Sequence, residues 1–306
     1  MFAAPPVIET EVFATVPAAL RRRGFRSEWT EVMRHGAPTD CFIEGPSFDL
    51  AGNLFVCDIP FGRIFRITPD GNFSVAAEYE GEPCGLKFRK DRRALITDFM
   101  HGIMELDPET GTVRHYVDRY LLQRFRGVND LVFADNGDLY FTDQGQSGMH
   151  DPTGRLFRQR PNGQLDLILD NVPSPNGVVL NPEQNAVYLA VTRGNCIWRV
   201  PLVKDGQVAK VGIFLQLSGS LAGPDGLAVD EEGNLAVAQA GSGAVWLFSR
   251  LGEPLFRIQS RTGLVQTNLA YGWPDRQCLY ITESDTGHIL RARLPVPGRT
   301  MFSHQP

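Results

Sequence analysis

The sequence of 306 residues lacks a basic excess and a long hydrophobic run, and its first twenty residues do not have the pattern expected of a secretory leader. Its 30 Lys and Arg residues are outnumbered by 35 Asp and Glu residues, so the formal net charge is −5 and the basic stripe that phosphate binding requires is missing. No apolar run reaches transmembrane length, and the first twenty residues contain acidic side chains but no Lys or Arg. We therefore expect no nucleic-acid or membrane partner, and a small molecule as the ligand.

Cysteine is scarce and scattered. The five cysteines are odd in number, and no two of them have C-x-x-C spacing. This usage predicts free thiols in a reducing compartment, so we expect a cytoplasmic protein without disulfides. The five are Cys41, Cys57, Cys84, Cys196 and Cys278.

Several catalytic signatures are also missing. The stretch "GQSGM" (145–149) does not satisfy the G-x-S-x-G pattern, and the sequence contains no H-E-x-x-H motif, P-loop or dinucleotide-binding glycine pattern. Serine-hydrolase and nucleotide-dependent chemistry therefore have no support. Nothing in the sequence indicates a protein partner.

Glycine and proline are abundant, at 31 and 21 residues, and they punctuate a unit that recurs six times. Each unit has a polar residue before a short apolar run, a polar turn, and a second run of alternating character. The six copies are "IEGPSFDLAGNLFVCD" (43–58), "PCGLKFRKDRRALITD" (83–98), "VNDLVFADNGDLYFTD" (128–143), "PNGVVLNPEQNAVYLAVT" (175–192), "PDGLAVDEEGNLAVAQA" (224–240) and "TNLAYGWPDRQCLYITE" (267–283). A third run and often a fourth follow, which is typical of four-stranded antiparallel sheets.

The spacing of about 45 residues per unit is the size of a propeller blade. We therefore predict an all-β fold, a six-bladed β-propeller with four-stranded blades around a central channel, formed as a single domain by residues 1–306. The last unit is one strand short. Part of an N-terminal extension (1–27), such as segment 8–15, or alternatively segment 28–34, is expected to complete it.

In a propeller the innermost strand of every blade lines the channel, so the polar residues that open these strands converge. Five of the six are oxygen-bearing, namely Glu44, Asn129, Asn176, Asp225 and Asn268, and the sixth is Cys84, which we interpret as a small filler. Two carboxylates with carboxamides suit a hard divalent cation, with Ca²⁺ first and Mg²⁺ or Mn²⁺ as alternatives. Zn²⁺ suits this oxygen set less well.

These phrases resemble the SMP-30/gluconolactonase/LRE-like family of six-bladed propellers, over about residues 28–295. The resemblance implies that Glu44, Asn176 and Asp225 bind one divalent metal and that Asn129 also lies in the site. It further implies hydrolysis of a sugar-acid lactone or a related small ester, with the cation polarising the carbonyl while a water attacks. Asp225 is the general base that the resemblance suggests, and Asp143, at the end of "LYFTD", is a second candidate.

The chain departs from the family at one position that matters for the substrate. Animal-type members carry an Arg two residues before the "ND" Asn, where it engages sugar hydroxyls or carboxylates, and this chain has Gly127. Relatives from bacteria often have Pro after "FTD", where this chain has Gln144. The residues expected at the mouth of the pocket are His101, His150, Tyr271 and Trp273. Of these, His101 and Tyr271 are expected to bind the substrate together with Asn129.

Three functions remain open from the sequence. The first is a metal-dependent lactonase or esterase-type hydrolase. The second is a propeller that keeps the ion for structure or binds a ligand without turnover. The third is non-hydrolytic chemistry at the same site, as in strictosidine synthase-like relatives of the fold, because a fold alone does not fix the reaction.

Overall fold

The computed structural model describes residues 3–204 and 207–305, and it is built almost entirely of strands. Within the described residues, six sheets follow one another along the chain, and their innermost strands contact each other in sequence. The sheets are antiparallel, except that Val7–Glu9 adds a parallel fifth strand to the outer edge of the fifth sheet. The first and last of these strands also contact each other, which closes the ring. The predicted six-bladed β-propeller is confirmed.

The chain begins with β1 (Val7–Glu9), β2 (Glu11–Thr15) and the short helix α1 (Glu28–Met33). Blade 1 comprises β3 (Ile43–Phe48), β4 (Leu54–Asp58), β5 (Arg63–Ile67) and β6 (Phe73–Glu78). Blade 2 comprises β7 (Pro83–Phe88), β8 (Ala94–Asp98), β9 (Gly102–Asp107) and β10 (Thr112–Val117), and is followed by the small hairpin of β11 (Arg119–Tyr120) and β12 (Gln123–Arg124). Blade 3 comprises β13 (Val128–Phe133), β14 (Leu139–Asp143), β15 (Gly154–Gln159) and β16 (Leu165–Val172).

Blade 4 comprises β17 (Pro175–Leu180), β18 (Ala186–Val191), β19 (Cys196–Pro201) and β20 (Gly212–Gln216). Blade 5 comprises β21 (Gly223–Val229), β22 (Leu235–Ala240), β23 (Ala244–Phe248) and β24 (Pro254–Gln259). Blade 6 comprises β25 (Gln266–Tyr271), β26 (Cys278–Glu283) and β27 (His288–Arg293). The sixth blade is closed by β2, which pairs antiparallel with β27. Of the predicted segment 8–15, residues 11–15 thus form the closing strand, whereas β1 pairs with β24 of blade 5 and residues 28–33 form α1.

Both faces of each blade are buried against its neighbours. The clusters of buried side chains therefore lie between blades; Phe55 and Ile64 of blade 1, for example, pack with Leu86 and Ile96 of blade 2. This packing explains why middle strands such as β4 and β18 are buried along their whole length and read as apolar runs. All five cysteines are free thiols in the described structure, as predicted.

Every innermost strand carries a register break just after its first residues, as between Glu44 and Ser47 or between Pro175 and Val178. A β-bulge re-aims the side chains around it, and here it falls on the polar position of each repeat. The glycines of "EGP" and "PNG" are needed because the next innermost strand approaches the backbone closely at these positions. A Cβ on Gly45 would lie 2.2 Å from the carbonyl oxygen of the next innermost strand, and a Cβ on Gly177 would meet the same obstacle at 2.2 Å.

The two ends of the channel are covered differently. At the end where the innermost strands begin lies α1, capped by Ser27 and Thr30, and its own Trp29 side chain is buried. At the other end, residues 299–303 cross a cavity of about 110 Å³ with largely apolar walls. Phe302 stacks there on Phe133, with ring centroids 5.0 Å apart.

Candidate metal centre and active site

One residue near the start of each innermost strand occupies an equivalent position around the channel. It is the second residue of the strand in five blades and the third residue in β21. These six ring positions are Glu44, Cys84, Asn129, Asn176, Asp225 and Thr267. The structure corrects one member of the predicted set. Leu131 and Leu269 occupy the same position opposite the second strand of their blades, so Thr267 rather than Asn268 is the counterpart of Asn129.

Four of the ring residues present a buried oxygen that has no hydrogen-bond partner among the described residues. These atoms are Glu44 Oε2, Asn129 Oδ1, Asn176 Oδ1 and Asp225 Oδ1. All four residues are buried, with exposures of 4 to 8 %. Unsatisfied buried oxygens are costly, so four of them at equivalent positions of one channel indicate a missing positive partner. The donor set, carboxylates with carboxamides, fits a hard divalent cation.

The two other ring positions do not offer such an oxygen. The Thr267 hydroxyl is engaged by Ser284 Oγ at 2.7 Å and by Thr282 Oγ1 at 3.0 Å. Cys84 is buried, and its thiol contacts the Glu82 carbonyl at 3.5 Å. The candidate donors therefore come from blades 1, 3, 4 and 5.

Burial and mutual repulsion disturb both ring carboxyls. Burial raises the pKa of Glu44 well above its ordinary value, and the charges of Asp225 and Asp130 raise it further. The pKa of Asp225 is likewise raised by burial and by Asp130, while the Asn176 side chain and the charge of Arg193 lower it. Each carboxyl is thus destabilised in its ionised form unless a cation is present.

A second polar layer lies deeper in the channel, and the sequence prediction missed half of it. Asp130 Oδ1 accepts the Leu131 amide at 2.8 Å, and Asn268 Oδ1 accepts the Leu269 amide at 2.8 Å. Burial raises the pKa of Asp130, against the lowering effect of the Lys87 charge. A glycine at the equivalent position of a neighbouring blade leaves room for this layer. A Cβ on Gly226 would lie 2.3 Å from Asn268 Oδ1.

Asn129 is held by a residue that sequence reasoning did not select. Its Nδ2 donates to Gln144 Oε1 at 3.3 Å, and Gln144 Nε2 donates to Ser174 Oγ at 3.0 Å. Gln144 is buried. The signal that could have found it is its place directly after "FTD", where the family resemblance already marked a departure.

Asp143, the second candidate base, lies outside the ring. Its Oδ1 accepts the backbone amides of Arg126 and Gly127 at 2.7 and 2.9 Å, and its Oδ2 accepts Arg155 Nε at 2.7 Å. The carboxylate is fully buried with these partners. It holds the segment that leads into β13.

A carboxylate at the end of the second strand accepts backbone amides from the start of its blade in other blades too. This contact explains why the second run of a repeat often ends in Asp or Glu. Asp58 accepts the Phe42 amide at 2.8 Å. Asp98 accepts the amide of Glu82 at 2.9 Å, and Glu283 accepts that of Val265 at 3.2 Å. The pattern therefore marks a structural contact between the second strand and the start of its own blade.

The residues predicted at the mouth of the pocket are dispersed. His101 lies in the loop between β8 and β9, where its Nε2 contacts the Glu80 carbonyl at 2.8 Å and its ring packs against His115. His150 lies in the rim loop after β14, beside Gly148.

Tyr271 and Trp273 lie at the opposite end of the channel from the ring. Tyr271 is the last residue of β25, and a Cβ on Gly298 would lie 2.0 Å from its ring. Trp273 packs on His304, with ring centroids 4.3 Å apart. Among the predicted site residues, the structure thus brings together Glu44, Asn129, Asn176 and Asp225.

Within residues 3–204 and 207–305, no group of three or more His, Cys, Asp and Glu side chains has metal-binding geometry, which agrees with a donor set that is half carboxamide. No helix within these ranges is long and apolar enough to cross a membrane.

Comparison with known proteins places this geometry in a family. The family model for the SMP-30/gluconolactonase/LRE-like region matches residues 42–285. The lactonase drp35 of Staphylococcus aureus is 26 % identical over 309 residues, covering 96 % of this chain and 84 % of the relative. The gluconolactonase of Zymomonas mobilis is 29 % identical over 281 residues, covering 82 % and 78 %.

A solved structure shares the architecture. The calcium-binding protein regucalcin from Agrobacterium tumefaciens superposes with a TM-score of 0.80 at 21 % identity, and the match covers 100 % of both chains. At that identity the likeness shows the fold. With a family model that matches most of its length, the chain belongs to the SMP-30/gluconolactonase/LRE-like family.

Proposed function

We propose that this protein is a divalent-cation-dependent hydrolase that opens the ring of a lactone. The observation that carries the proposal is the set of four buried oxygens, from Glu44, Asn129, Asn176 and Asp225, that lack a hydrogen-bond partner among the described residues. The names of the relatives, lactonase and gluconolactonase, support lactone hydrolysis. The description of the structural neighbour as calcium-binding supports the choice of Ca²⁺.

The four ring residues would hold the cation, and Ca²⁺ suits them best because it prefers carboxylate and carbonyl oxygens. When bound, the cation supplies a Lewis acid for the lactone carbonyl and stabilises negative charge on its oxygen. The ring carboxylates would supply two negative charges, and the carboxamides would complete the set without adding more.

Asp225 is suited to accept the proton of the attacking water. It is one of the two ring carboxylates, so it lies where the lactone carbonyl would meet the cation, as a general base must. As the water oxygen bonds to the carbonyl carbon, one of its protons passes to the Asp225 carboxylate. The ring C–O bond then breaks, and the leaving oxygen takes that proton from Asp225 to give the hydroxy acid.

Other residues position and shield the reaction. Gln144 fixes the Asn129 carboxamide through its 3.3 Å hydrogen bond. Trp29 of α1 packs over Cys84 at the ring and limits access of bulk water.

A panel of lactones with a pH indicator tests the proposal, before and after chelation and with Ca²⁺, Mn²⁺ or Mg²⁺ restored. We expect turnover that is lost on chelation and returns with Ca²⁺. Asp225→Ala should abolish turnover while the circular dichroism spectrum stays that of the folded protein; the exposed-site variant Asp70→Asn is the control. Ca²⁺ binding without turnover of any lactone would instead indicate the ligand-binding or structural-ion alternative.

A further inference from the structure

The rim of the channel at the ring end is built from the turns that follow the second strand of each blade. In every blade the residue before the ring position pairs with a residue at or near the end of the second strand, as Val128 pairs with Asp143 and Pro175 with Val191. Two residues further on, each turn offers one equivalent rim position. The six rim positions are Pro60, Met100, Gly145, Arg193, Gly241 and Asp285.

The two charged rim residues, Arg193 of blade 4 and Asp285 of blade 6, differ in their partners. Asp285 accepts a hydrogen bond from the guanidinium of Arg34, which follows α1, so its charge is compensated. Arg193 is exposed and makes no hydrogen bond or ion pair with any other described residue. Its guanidinium therefore keeps its donors available for a ligand.

The backbone of Arg193 is fixed beside Asp225. Thr192 Oγ1 donates to the Pro224 carbonyl at 2.8 Å. A Cβ on Gly223 would lie 2.2 Å from the Thr192 carbonyl oxygen, so the two segments are in close contact. The turn that carries Arg193 is thus packed against the residues that lead into the ring position of blade 5.

The side chain of Arg193 runs towards the rim loop of blade 3. A Cβ on Gly148, within this loop, would lie 3.8 Å from Arg193 Cγ. The charge of Arg193 also acts on the ring, where it lowers the pKa of Asp225. Because the residue reaches from blade 5 towards blade 3, it lies on the side of the mouth where blade 4 presents Asn176.

Other charges on this side of the mouth do not compensate Arg193. The rim loop of blade 3 holds one acid, Asp151, whose Oδ2 accepts the Thr153 hydroxyl at 3.2 Å. Arg126 lies against the same loop and donates to the Thr153 carbonyl, so the loop already has a cation of its own. The positive charge of Arg193 is therefore additional.

With a divalent cation in the ring, a count of charges leaves Arg193 in excess. The carboxylates of Glu44 and Asp225 would balance the cation, and in the deeper layer Asp130 and Lys87 carry opposite charges that act on each other. A neutral lactone offers its ester to the cation but no charge to a guanidinium. A carboxylate or phosphate, in contrast, pairs with a guanidinium through two parallel N–H···O bonds.

We propose that Arg193 binds an anionic substituent of the substrate, and therefore that the substrate is a lactone with a second acidic group, a carboxylate or a phosphate, remote from the ester. This inference rests on the proposed function for the ester group. Arg193 is then a specificity-determining residue, which selects acidic lactones over neutral lactones of similar size.

Calorimetric binding of ring-opened hydroxy acids to the Ca²⁺-loaded protein tests the inference without turnover. The first pair is 5-hydroxyhexanoate and 2-hydroxyadipate, in which a carboxylate replaces a terminal methyl group. The second pair is gluconate and 6-phosphogluconate, which differ by a phosphate. In at least one pair we expect the more acidic member to bind at least about tenfold more tightly, because it gains a charge-assisted contact. The pair that shows this preference identifies the acidic group.

Variants of Arg193 show whether this residue causes the preference. Arg193→Gln should reduce the preference about tenfold and leave binding of the less acidic member unchanged. Arg193→Lys keeps the charge but not the planar pair of donors, so it should retain part of the preference. Arg250→Gln removes an exposed arginine from the turn between β23 and β24, at the opposite end of the channel, and should keep all of it.

The inference is overturned if the more acidic member binds no more tightly in either pair, if Arg193→Gln keeps the preference, or if none of the acids binds. Hydrolysis of the δ-lactones of the four acids is measured in parallel. If the acids bind with the expected preference but no lactone is hydrolysed, the proposed function fails and the acidic ligand class stands. If the lactones are hydrolysed while the members of each pair bind equally, the proposed function stands and the inference fails.

Discussion

Asn129 donates its Nδ2 to Oε1 of Gln144 at 3.3 Å, which turns its own Oδ1 towards the channel, where that oxygen has no hydrogen-bond partner in the described structure. The buried Gln144 cannot rotate freely, because its Nε2 is bonded to Ser174. The two hydrogen bonds therefore fix the orientation of the Asn129 carboxamide. A cation in the channel would meet its oxygen rather than its nitrogen.

Gln144→Leu is expected to weaken Ca²⁺ binding about tenfold, since residues that orient a metal ligand commonly have effects of that size. The free energy of unfolding should fall by only about 1 kcal/mol, the usual contribution of one hydrogen bond. Titration calorimetry measures the affinity, with the exposed Gln146→Leu as the matched control. Unchanged affinity in Gln144→Leu would show that Asn129 needs no such support.

Asp225→Asn is expected to separate stability from metal binding. Because the pKa of Asp225 is raised in the folded protein, its ionised form destabilises the cation-free fold at pH 8, and the amide removes that repulsion from Glu44 and Asp130. Without Ca²⁺ the variant should be more stable by about 1 kcal/mol, while the stabilisation of the wild type by Ca²⁺ should disappear.

Thermal unfolding with EDTA and with Ca²⁺ measures both effects. Asp70→Asn, an exposed site, controls for the loss of one negative charge. A variant that is less stable than the wild type in EDTA, or that is still stabilised by Ca²⁺, would contradict the placement of Asp225 in the ring.

The architecture was predictable because the repeat is strict. Each copy has the same order of polar residue, apolar run and polar turn, and the spacing of about 45 residues can be satisfied only by a few folds. The same alignment selected Glu44, Asn129, Asn176 and Asp225. Their convergence follows from the topology alone, since the position that opens an innermost strand lies on the channel in every blade.

The details that were missed depend on contacts between distant residues. Asn268 was placed one position off, because residues 267 and 268 are both polar and only the strand pairing, which matches Gln266 with Val128, shows which of them lies in the ring. Helix α1 has only six residues, and its capping by Ser27 is a weak signal beside a strand-like pattern. Gln144 acts through Asn129 and Ser174, which only the folded chain brings together.

Glu82 should make stability depend on pH around neutrality. Burial, together with the charges of Asp98 and Glu28, raises its pKa to about 7, against a normal value of 4.5. A carboxyl with a raised folded-state pKa binds more protons when folded, so stability falls as pH rises from about 4.5 to about 7. Glu82→Gln should therefore be more stable than the wild type at pH 8, by about 1 kcal/mol because the group is partly solvated.

The difference between Glu82→Gln and the wild type should vanish near pH 4. Urea unfolding at pH 4, 6 and 8 measures it, with the exposed-site variant Glu109→Gln as the control. A constant difference across this range would mean that the Glu82 carboxyl titrates normally.

Asp143→Asn distinguishes a structural role of the Asp143 carboxylate from a role as the catalytic base. The substitution leaves the buried Arg155 guanidinium without its counter-charge and weakens acceptance of the Arg126 and Gly127 amides, so we expect a loss of about 3 kcal/mol of stability. Asp58→Asn removes the equivalent carboxylate in blade 1, where it pairs with Arg63, and should cost a similar amount. Because Asp143 lies outside the ring, Ca²⁺ affinity and the rate of lactone hydrolysis per folded molecule should remain close to those of the wild type in both variants. Loss of turnover in Asp143→Asn alone, at unchanged stability, would instead identify Asp143 as the base.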